Sequence, residues 1–308
     1  MRKSIITQQL RFTARNDYAF KKLFGSEENK DIMIEFISLV TSLGKDDFDD
    51  VRIENTEQLP RFYKEKIGRL DIKIRLNDGR KIDVEMQNTY FDYYPKRSIF
   101  YCSKLIHEHF SSGLQYANLK KCIAINVLNS SFKLSQKVHS IYQIRECEDQ
   151  TLLDELLEIH FLDLTKLPKD NLTSLEKWLM FIKTDDKEER AMLAQGNAVM
   201  TKANQVMDIF YLDEQERKRY EAAWEYESDR LSMISESERK GLERGLAEGE
   251  ARGKSLGLAE GEARGRSEGS RQAKLETAKN LLQFGLSREK IAQATGLTTD
   301  EVESICNG

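Results

Sequence analysis

Residues 68–87 read GRLDIKIRLNDGRKIDVEMQ, and apolar and polar residues alternate there on both sides of Asn77-Asp78-Gly79. An alternation with a period of two is typical of β-strands that bury one face. Two such runs joined by a short, glycine-containing segment predict a β-hairpin. Gly79 suits the turn, because glycine adopts positive φ without steric cost.

The length of the hairpin loop decides which side chains share a face of the sheet. A two-residue loop would put Asp71 and Glu85 on opposite faces, whereas a three-residue loop would pair Leu76 with Arg80. Asp71 would then lie opposite Glu85, since a slip of one residue moves every side chain to the other face. We favour the three-residue loop because it collects four polar residues on one face: Asp71, Asp83, Glu85 and Gln87.

Two carboxylates that lie opposite each other on neighbouring strands repel. A divalent cation would remove this repulsion, and Mg²⁺ binds proteins through one or two carboxylates together with the phosphate oxygens of a substrate. Asp71 and Glu85 are therefore candidate metal ligands. The alternative is a polar sheet face in contact with solvent, which is common in antiparallel sheets.

Three motifs resemble, in order, those of a known family. Asp71, followed fourteen residues later by Glu85-Met86-Gln87, resembles the D…ExK core of the PD-(D/E)XK nucleases, with glutamine in place of lysine. Residues 16–25, NDYAFKKLFG, are similar to the opening helix, and Pro95-Lys96-Arg97 with Tyr101 is similar to the arginine-containing helix after the core. Over residues 10–170 the chain resembles PD-(D/E)XK nuclease family transposases, or Rpn-type recombination-promoting nucleases.

The resemblance implies an α/β fold, with a restriction-endonuclease-like core of a mixed sheet flanked by helices and then a mainly helical C-terminal region. It implies a metal-dependent DNA endonuclease acting in recombination or transposition-like processing. The implied cofactor is Mg²⁺, with Mn²⁺ or Ca²⁺ as substitutes, held by Asp71, Glu85 and the carbonyl group of Met86. Gln87 completes the implied catalytic set.

The resemblance also implies that four further residues bind the DNA substrate, with Asp17 near the metal and Lys21 near a phosphate. Asp17 and Lys21 lie one helical turn apart, as do Arg97 and Tyr101, so each pair projects from one side of its helix. Arginine suits a phosphate because its planar guanidinium donates two hydrogen bonds. A surface ion pair for the first two residues, and an arginine stacked on a tyrosine for the others, are the alternatives.

Gln87 departs from the family pattern, and this puts the rate and the metal dependence in doubt. An amide orients water, but it neither neutralises charge nor takes up a proton. A second ion held by Asp83 or Asp17 would then contribute to catalysis. The alternative function is that of a catalytically inactive nuclease fold serving as a DNA- or protein-binding module.

Composition restricts the compartment and the partners. The 308 residues carry a formal net charge of −4, so any contact with DNA requires a local basic patch. The chain has no apolar run of about 18 residues, its start lacks the apolar segment of a secretory signal, and its four cysteines show no metal-ligand spacing. We therefore expect a cytoplasmic protein with reduced thiols and no membrane contact.

The order of patterns predicts four regions along the chain. They are a nuclease-like domain at 1–170, a helical extension at 171–235, a charged glycine repeat at 236–272 and a small helix-turn-helix-like tail at 273–308. Further strands are expected at 122–128, 138–144 and 158–164, with an acidic helix at 149–157. Helices are expected at 174–192 and 197–233. His139 and His160 each lie alone in a strand-like pattern, which predicts hydrogen-bonded structural histidines.

The repeat has a glycine at every fourth position from Gly241 to Gly269. Each interior glycine costs a helix about 1 kcal/mol relative to alanine, so an isolated helix here would be marginal. A helix that self-associates and a flexible charged linker are both consistent with the pattern. We expect a homo-oligomer formed through the C-terminal region.

The tail, residues 281–306, predicts two short helices joined at Thr295-Gly296-Leu297, in the pattern of a helix-turn-helix. The second helix begins TTDEVE, with three acids and neither lysine nor arginine. Such a helix is poorly suited to the major groove. We therefore expect a packing or dimerisation unit rather than a reader of DNA bases.

Overall fold

The structure, a computed structural model, describes residues 10–48, 51–54, 72–89, 91–110 and 115–306. The chain forms two compact units, Met1–Ser228 and Asp229–Gly308. Where it is described, the first unit contains a sheet flanked by helices, and the second contains helices alone. None of the helices described is both long and apolar enough to cross a membrane.

One mixed sheet organises the first unit. Its strands are β1 Arg52–Glu54, β2 Ile72–Arg75, β3 Lys81–Gln87, β4 Cys122–Leu128, β5 His139–Gln143 and β6 Leu157–Asp163. The spatial order is β1-β2-β3-β4-β6-β5. β3, β4 and β6 are parallel, and the outer pairs are antiparallel. The predicted α/β fold, with a mixed sheet and a mainly helical C-terminal region, is confirmed.

The β2–β3 connection is the predicted three-residue loop. The N–H of Leu76 donates to the carbonyl of Arg80 at 2.9 Å, and the N–H of Gly79 donates to the carbonyl of Leu76 at 3.0 Å. Gly79 has φ of +90°, which a side chain would strain. The predicted register is therefore confirmed over the described part of both strands, while Asp71 lies outside the described residues.

The large core lies on one face of the sheet. There the alternate residues Ile72, Ile74, Ile82 and Val84 are buried against four helices. These are α1 Asp17–Phe24, α2 Lys30–Thr41, α4 Ser174–Lys183 and α6 Ala198–Leu212. Trp178 of α4 is fully buried at the centre of this layer, where its ring meets those of Phe24 and Phe36.

The opposite face of the sheet is covered by α3, Tyr94–Phe110. Tyr94 and Cys102 of this helix are buried with Ala124 of β4 and Phe161 of β6. Charged residues of β3 share this face, because side chains alternate along a strand. The helix α3 therefore determines how much of the polar face meets solvent.

Three predicted helices differ from the structure, and the one expected at 197–233 is broken at Asp213, whose backbone is extended, into α6 and a helix that begins at Glu214. Residues 149–156 are not helical, because the carboxylates of Glu146 and Asp149 accept hydrogen bonds from nearby backbone N–H groups, and Leu157 is the first residue of β6. The helix predicted at 174–192 is two helices, α4 and α5 Lys187–Leu193. The side chain of Asp186 caps α5 by accepting from the N–H groups of Glu188 and Glu189.

The second unit is built on the long helix α7, Glu214–Gln283, which begins in the first unit. The glycine repeat is helical throughout rather than a flexible linker, and self-association of this helix stays a prediction. Two short helices follow, α8 Arg288–Thr295 and α9 Thr299–Cys306, with Gly296 between them at φ of +68°. A small apolar core joins them to the end of α7: Ala278, Ile291, Leu297 and Val302.

We expect Gly79→Ala to lower the free energy of unfolding of the first unit by about 1 kcal/mol or more, because alanine is strained at positive φ. Both tryptophans lie in this unit, so their fluorescence during urea unfolding measures the effect. Gly79→Asn is the matched control and should lose less, since asparagine tolerates positive φ. Equal stability of the alanine variant and the wild type would contradict this account of the loop.

Candidate active site

Two acidic side chains of β3 are buried beneath α3. Asp83 is 2% exposed and Glu85 is 1% exposed. They lie on one face of the strand because they are two residues apart. Buried carboxylates are costly unless cations or hydrogen bonds compensate them, so their surroundings indicate what the site is built for.

Glu85 is compensated by two side chains of α3. Nη2 of Arg97 lies 3.1 Å from Oε2 of Glu85, and the hydroxyl of Tyr94 donates to the same oxygen at 3.4 Å. The Arg97 side chain is 29% exposed, while that of Glu85 is 1% exposed. The guanidinium therefore connects a buried carboxylate with the protein surface.

Aromatic rings hold Arg97 in place. Its guanidinium carbon lies 5.1 Å from the centre of the Tyr101 ring and 5.7 Å from that of Tyr94. A cation over an aromatic face is attracted by the ring quadrupole. The structure thus brings together Arg97 and Tyr101, as their spacing predicts, and adds Glu85 and Tyr94 to the group.

A buried hydrogen-bonded chain anchors α3 beside Arg97. The hydroxyl of Ser98 donates to Oδ1 of Asn126 at 2.8 Å, and Nδ2 of Asn126 donates to the carbonyl of His160 at 3.0 Å. Sequence reasoning missed Ser98 and Asn126. The signal was the single polar residue, Asn126, within the apolar run CIAINVL.

The opening helix approaches the end of β3. Nδ2 of Asn88, the residue after β3, donates to the carbonyl of Arg15 at 3.0 Å. On α1 itself, Lys21 and Asp17 form an ion pair at 3.0 Å in which both side chains are substantially exposed. The structure therefore pairs these two predicted substrate-binding residues with each other and places the start of their helix near Gln87.

Neither lysine on the polar face takes the place of the family lysine. Lys81 contacts Glu108 at 3.1 Å, and Lys73 pairs with both Glu108 and Glu54. Although burial opposes the charged form, the hydrogen bonds to Glu108 and Glu54 raise the pKa of Lys73. Both ammonium groups are thus held in an ion-pair cluster by Glu108 of α3.

The donor set is compatible with a hard cation but is incomplete among the described residues. Where the chain is described, no group of three or more His, Cys, Asp or Glu is arranged to hold a metal ion. Glu85 and the backbone carbonyl of Met86 offer oxygen ligands of the kind that Mg²⁺ favours. Asp71, the remaining predicted ligand, is outside the described residues, as is its relation to Glu85.

Comparison with known proteins identifies the family. A family model described as PD-(D/E)XK nuclease family transposase matches residues 14–237. A model described as Rpn/YhgA-like nuclease family, C-terminal HTH domain, matches residues 271–307. No curated protein and no solved structure matches the chain. The first match spans well over half of the sequence, so the chain belongs to the PD-(D/E)XK nuclease family transposases, and the predicted resemblance is confirmed.

A second buried polar cluster lies on the other face of the sheet. Nε2 of His139 is 2.9 Å from Nδ1 of His160, and Nε2 of His160 is 2.8 Å from Oε1 of Glu158. Both histidines are hydrogen-bonded, as predicted, but they are partners rather than isolated. The two histidines meet because their strands, β5 and β6, are neighbours in the sheet. The sequence pattern alone does not show which strands pair.

The electrostatics of this cluster depend on both histidines. The hydrogen bond with His160 lowers the pKa of Glu158 to about 2, against the opposing effect of burial and together with Lys121. Burial, followed by the proximity of His160, lowers the pKa of His139 to about 4. The cluster therefore holds His139 neutral at pH 7.

We expect the folded protein to lose stability as the pH falls from about 6.5 towards 4, in part through His139. Its pKa is lower in the folded state, so the unfolded state binds the proton more tightly over that range. His139→Gln should make urea unfolding less dependent on pH between 7 and 4.5. The control is His107→Gln, at an exposed position, and an unchanged pH dependence in His139→Gln would refute the assignment.

Proposed function

We propose that the protein is a metal-dependent DNA endonuclease that acts in recombination or transposition-like DNA processing. Asp71, Glu85 and the carbonyl of Met86 hold Mg²⁺ in this proposal. When bound, the metal lowers the pKa of a water molecule and stabilises charge on the scissile phosphate. The carrying observation is the buried Glu85, which shares a face with Asp83 and contacts Arg97.

The hairpin register supports the choice of Asp71. Ile72 lies opposite Val84, and Lys73 lies opposite Asp83. This is the register that the pairing of Asp71 with Glu85 requires. A slip of one residue would instead have put an apolar side chain of β3 on the polar face.

Arg97 has two roles in the proposal. Without a metal, its guanidinium compensates the charge of Glu85 at 3.1 Å. With metal and DNA bound, its exposed side binds a phosphate, for which a planar guanidinium is well suited. Tyr101 positions Arg97 by stacking, and Asp17 and Lys21 contact the substrate at the other side of the site.

Gln87 orients the attacking water in the proposed reaction. Gln87 is half-buried, and its backbone carbonyl accepts a hydrogen bond at 2.8 Å from the N–H of Asn129, the residue after β4. An amide cannot accept the proton of that water, so the proton would pass to solvent, and a bound metal would favour this transfer by lowering the pKa of the water. Asp83, or Asp17 of α1, is the candidate ligand of a second ion.

The C-terminal helices contribute packing in this proposal, within a protein that acts on DNA. Glu301 and Glu303 of α9 form ion pairs with Arg271 and Arg288, which lie in the same unit. A helix whose charged residues are acids repels phosphates, so base reading by α9 is disfavoured. We infer that this helix-turn-helix packs against protein.

The cysteines are consistent with a reducing compartment such as the cytoplasm. Cys102 and Cys122 are buried and Cys147 is exposed, and all three are free thiols. Burial raises the pKa of Cys122 to about 12, which keeps the thiol protonated and unreactive.

We expect plasmid and single-stranded DNA cleavage in the presence of Mg²⁺, Mn²⁺ or Ca²⁺, and its loss in Asp71→Ala and in Glu85→Ala. Each substitution removes a ligand of the ion, which should reduce the rate by about a hundredfold or more. Asp154→Ala removes an exposed acid elsewhere and serves as the matched control. The measurement is the rate of appearance of nicked and linear products on a gel.

The alternative function, a catalytically inactive binding module, makes a different prediction. Such a protein would bind metal or DNA without producing cleaved products. The observation that favours this alternative is Gln87, which stands where the family motif usually has lysine. Cleavage that survives both Asp71→Ala and Glu85→Ala would sink the proposed catalytic centre, and the absence of any cleavage would favour the binding module.

We also propose that the protein self-associates through the glycine repeat of α7. An added Cβ at any of the eight repeat glycines would meet no atom within 4 Å, so this stripe has space for another helix. Eight interior glycines cost the helix roughly 8 kcal/mol relative to alanine. The glycine stripe drifts about 40° per repeat, so a second copy would offset part of this cost where its helix packs closely against a few of the glycines. Pairs such as Arg239 with Glu243 add only a few tenths of a kcal/mol each.

Replacing Gly249, Gly253 and Gly257 together with alanine should weaken self-association while raising helix content, because methyl groups keep the helices apart. Sedimentation velocity measures the first effect and circular dichroism the second. The control, Ser255→Ala, changes a small residue that lies about 200° around the helix from Gly253. Self-association that is unchanged or stronger in the triple variant would contradict close packing at the glycines.

A further inference from the structure

The outer face of α3, together with Tyr93 just before it, combines aromatic and cationic side chains. We define this outer face as Tyr93, Lys96, Ile99, Phe100 and Lys104. Three of them are large apolar side chains with about half of their surface in water: Tyr93 is 55%, Ile99 52% and Phe100 51% exposed. Their spacing of three and four residues places the members on α3 along one side of the helix.

The aromatic rings on this face are positioned to stack. Tyr93 stacks on Phe91, with ring centres 5.2 Å apart and planes inclined by 6°. The Phe100 ring packs at an angle against the Tyr101 ring. The guanidinium of Arg97 lies over that same Tyr101 ring. A single exposed apolar residue needs no explanation, but a cluster of exposed rings marks a binding surface.

The charges of α3 favour a polyanion. The helix carries Lys96, Arg97 and Lys104, and its only acid is Glu108. Glu108 is engaged by the ammonium groups of Lys73 and Lys81. This face is therefore locally basic on a chain whose net charge is −4, which is the local patch that DNA binding requires.

The outer face is continuous with the candidate active site. Arg97 is part of α3 and reaches inward to Glu85, with Nη2 3.1 Å from Oε2. Lys96 directly precedes Arg97, and Phe100 follows it by three residues, about one turn along the helix. A strand that lies along the outer face would therefore pass the arginine that contacts the proposed metal ligand.

The exposed rings distinguish unpaired DNA from a duplex. In a duplex the base faces are already stacked on one another, and a protein surface meets phosphates and groove edges. In an unpaired strand the base faces are accessible, and aromatic side chains stack on them irrespective of sequence. Exposed rings between lysines suit alternating contacts with bases and phosphates.

We propose that the outer face of α3 binds an unpaired DNA strand, with bases stacked on Tyr93 and Phe100 and phosphates contacted by Lys96 and Lys104. The proposal rests on the proposed nuclease function and specifies its substrate class. Substrates of this class are single strands and the unpaired parts of flaps, bubbles and junctions.

The test is fluorescence anisotropy of a labelled single strand and of the duplex of the same sequence, with EDTA present to prevent cleavage. Wild type should bind the single strand more tightly. Tyr93→Ala and Phe100→Ala should each raise its Kd by about tenfold, and the Kd for the duplex by less than twofold. Tyr226→Ala, at an exposed tyrosine of α7 with 60% exposure, is the matched control and should change neither.

Conservative variants separate stacking from general apolar contact. Phe100→Trp should retain the affinity for the single strand, while Phe100→Leu should lose it as Phe100→Ala does. Lys96→Gln should reduce the slope of log K against log salt by about 0.7 for the single strand, the value for one phosphate contact. These variants alter exposed positions, and tryptophan fluorescence during urea unfolding verifies that the first unit is intact.

Two results would overturn the inference: equal losses on single strand and duplex, or unchanged affinity in both alanine variants. Unchanged affinity together with an altered oligomeric state would identify the outer face as a contact between protein copies. Because binding is measured without metal, its outcome is separate from cleavage. If the wild type never cleaves DNA but the alanine variants bind the single strand more weakly, this inference is supported and the nuclease is refuted. If the wild type cleaves DNA and the alanine variants bind the single strand as it does, the nuclease is supported and this inference is refuted.

Discussion

The register of the β2–β3 hairpin is the constraint on which the rest of the structure depends. Gly79, with φ of +90°, allows a three-residue loop, and that loop sets Val84 opposite Ile72. The apolar side chains of β2 and β3 then enter the large core, and the charged side chains of β3 face α3. A shift of one residue would exchange the two faces, burying the charges among the helices α1, α2 and α4. The hairpin loop therefore determines which side chains enter the core and which face the candidate active site.

Placing carboxylates on a covered face has consequences for the helix that covers them. Glu85 is 1% exposed, and its charge requires compensation that α3 supplies through Arg97 and Tyr94. The same helix supplies Glu108, which engages the two lysines of the polar face. Ser98 and Asn126 then fix α3 on the sheet by a buried hydrogen bond. The inner side of α3 therefore carries side chains that compensate the charges on the polar face of the sheet. Its outer side faces solvent, where a ligand can bind.

The two units differ in how much the burial of apolar side chains stabilises them. In the first, apolar burial on one sheet face is extensive, and rings such as those of Trp178 and Phe36 fill the core. In the second, a long helix with a glycine at every fourth position leads to a core of a few small and medium side chains. Burial of apolar area stabilises by roughly 25 cal/mol per Å², so the small core contributes little to holding the long helix together. A second helix packed along the repeat glycines would provide the stabilisation of α7 that this small core does not.

The sequence by itself determined the hairpin, its loop length, the family and the helix-turn-helix pattern, because these depend on local periodicity and on turn chemistry at residues such as Gly79 and Gly296. It also indicated Glu85 and Arg97 as residues of one site. Only the tertiary structure decided that Arg97 contacts Glu85, that His139 pairs with His160, and that Asn126 holds α3. Each of these contacts joins residues from different elements whose neighbours in space are set by strand order and helix packing. The helix predicted at 149–157 was wrong for a related reason, since side-chain hydrogen bonds to the backbone outweighed helix propensity.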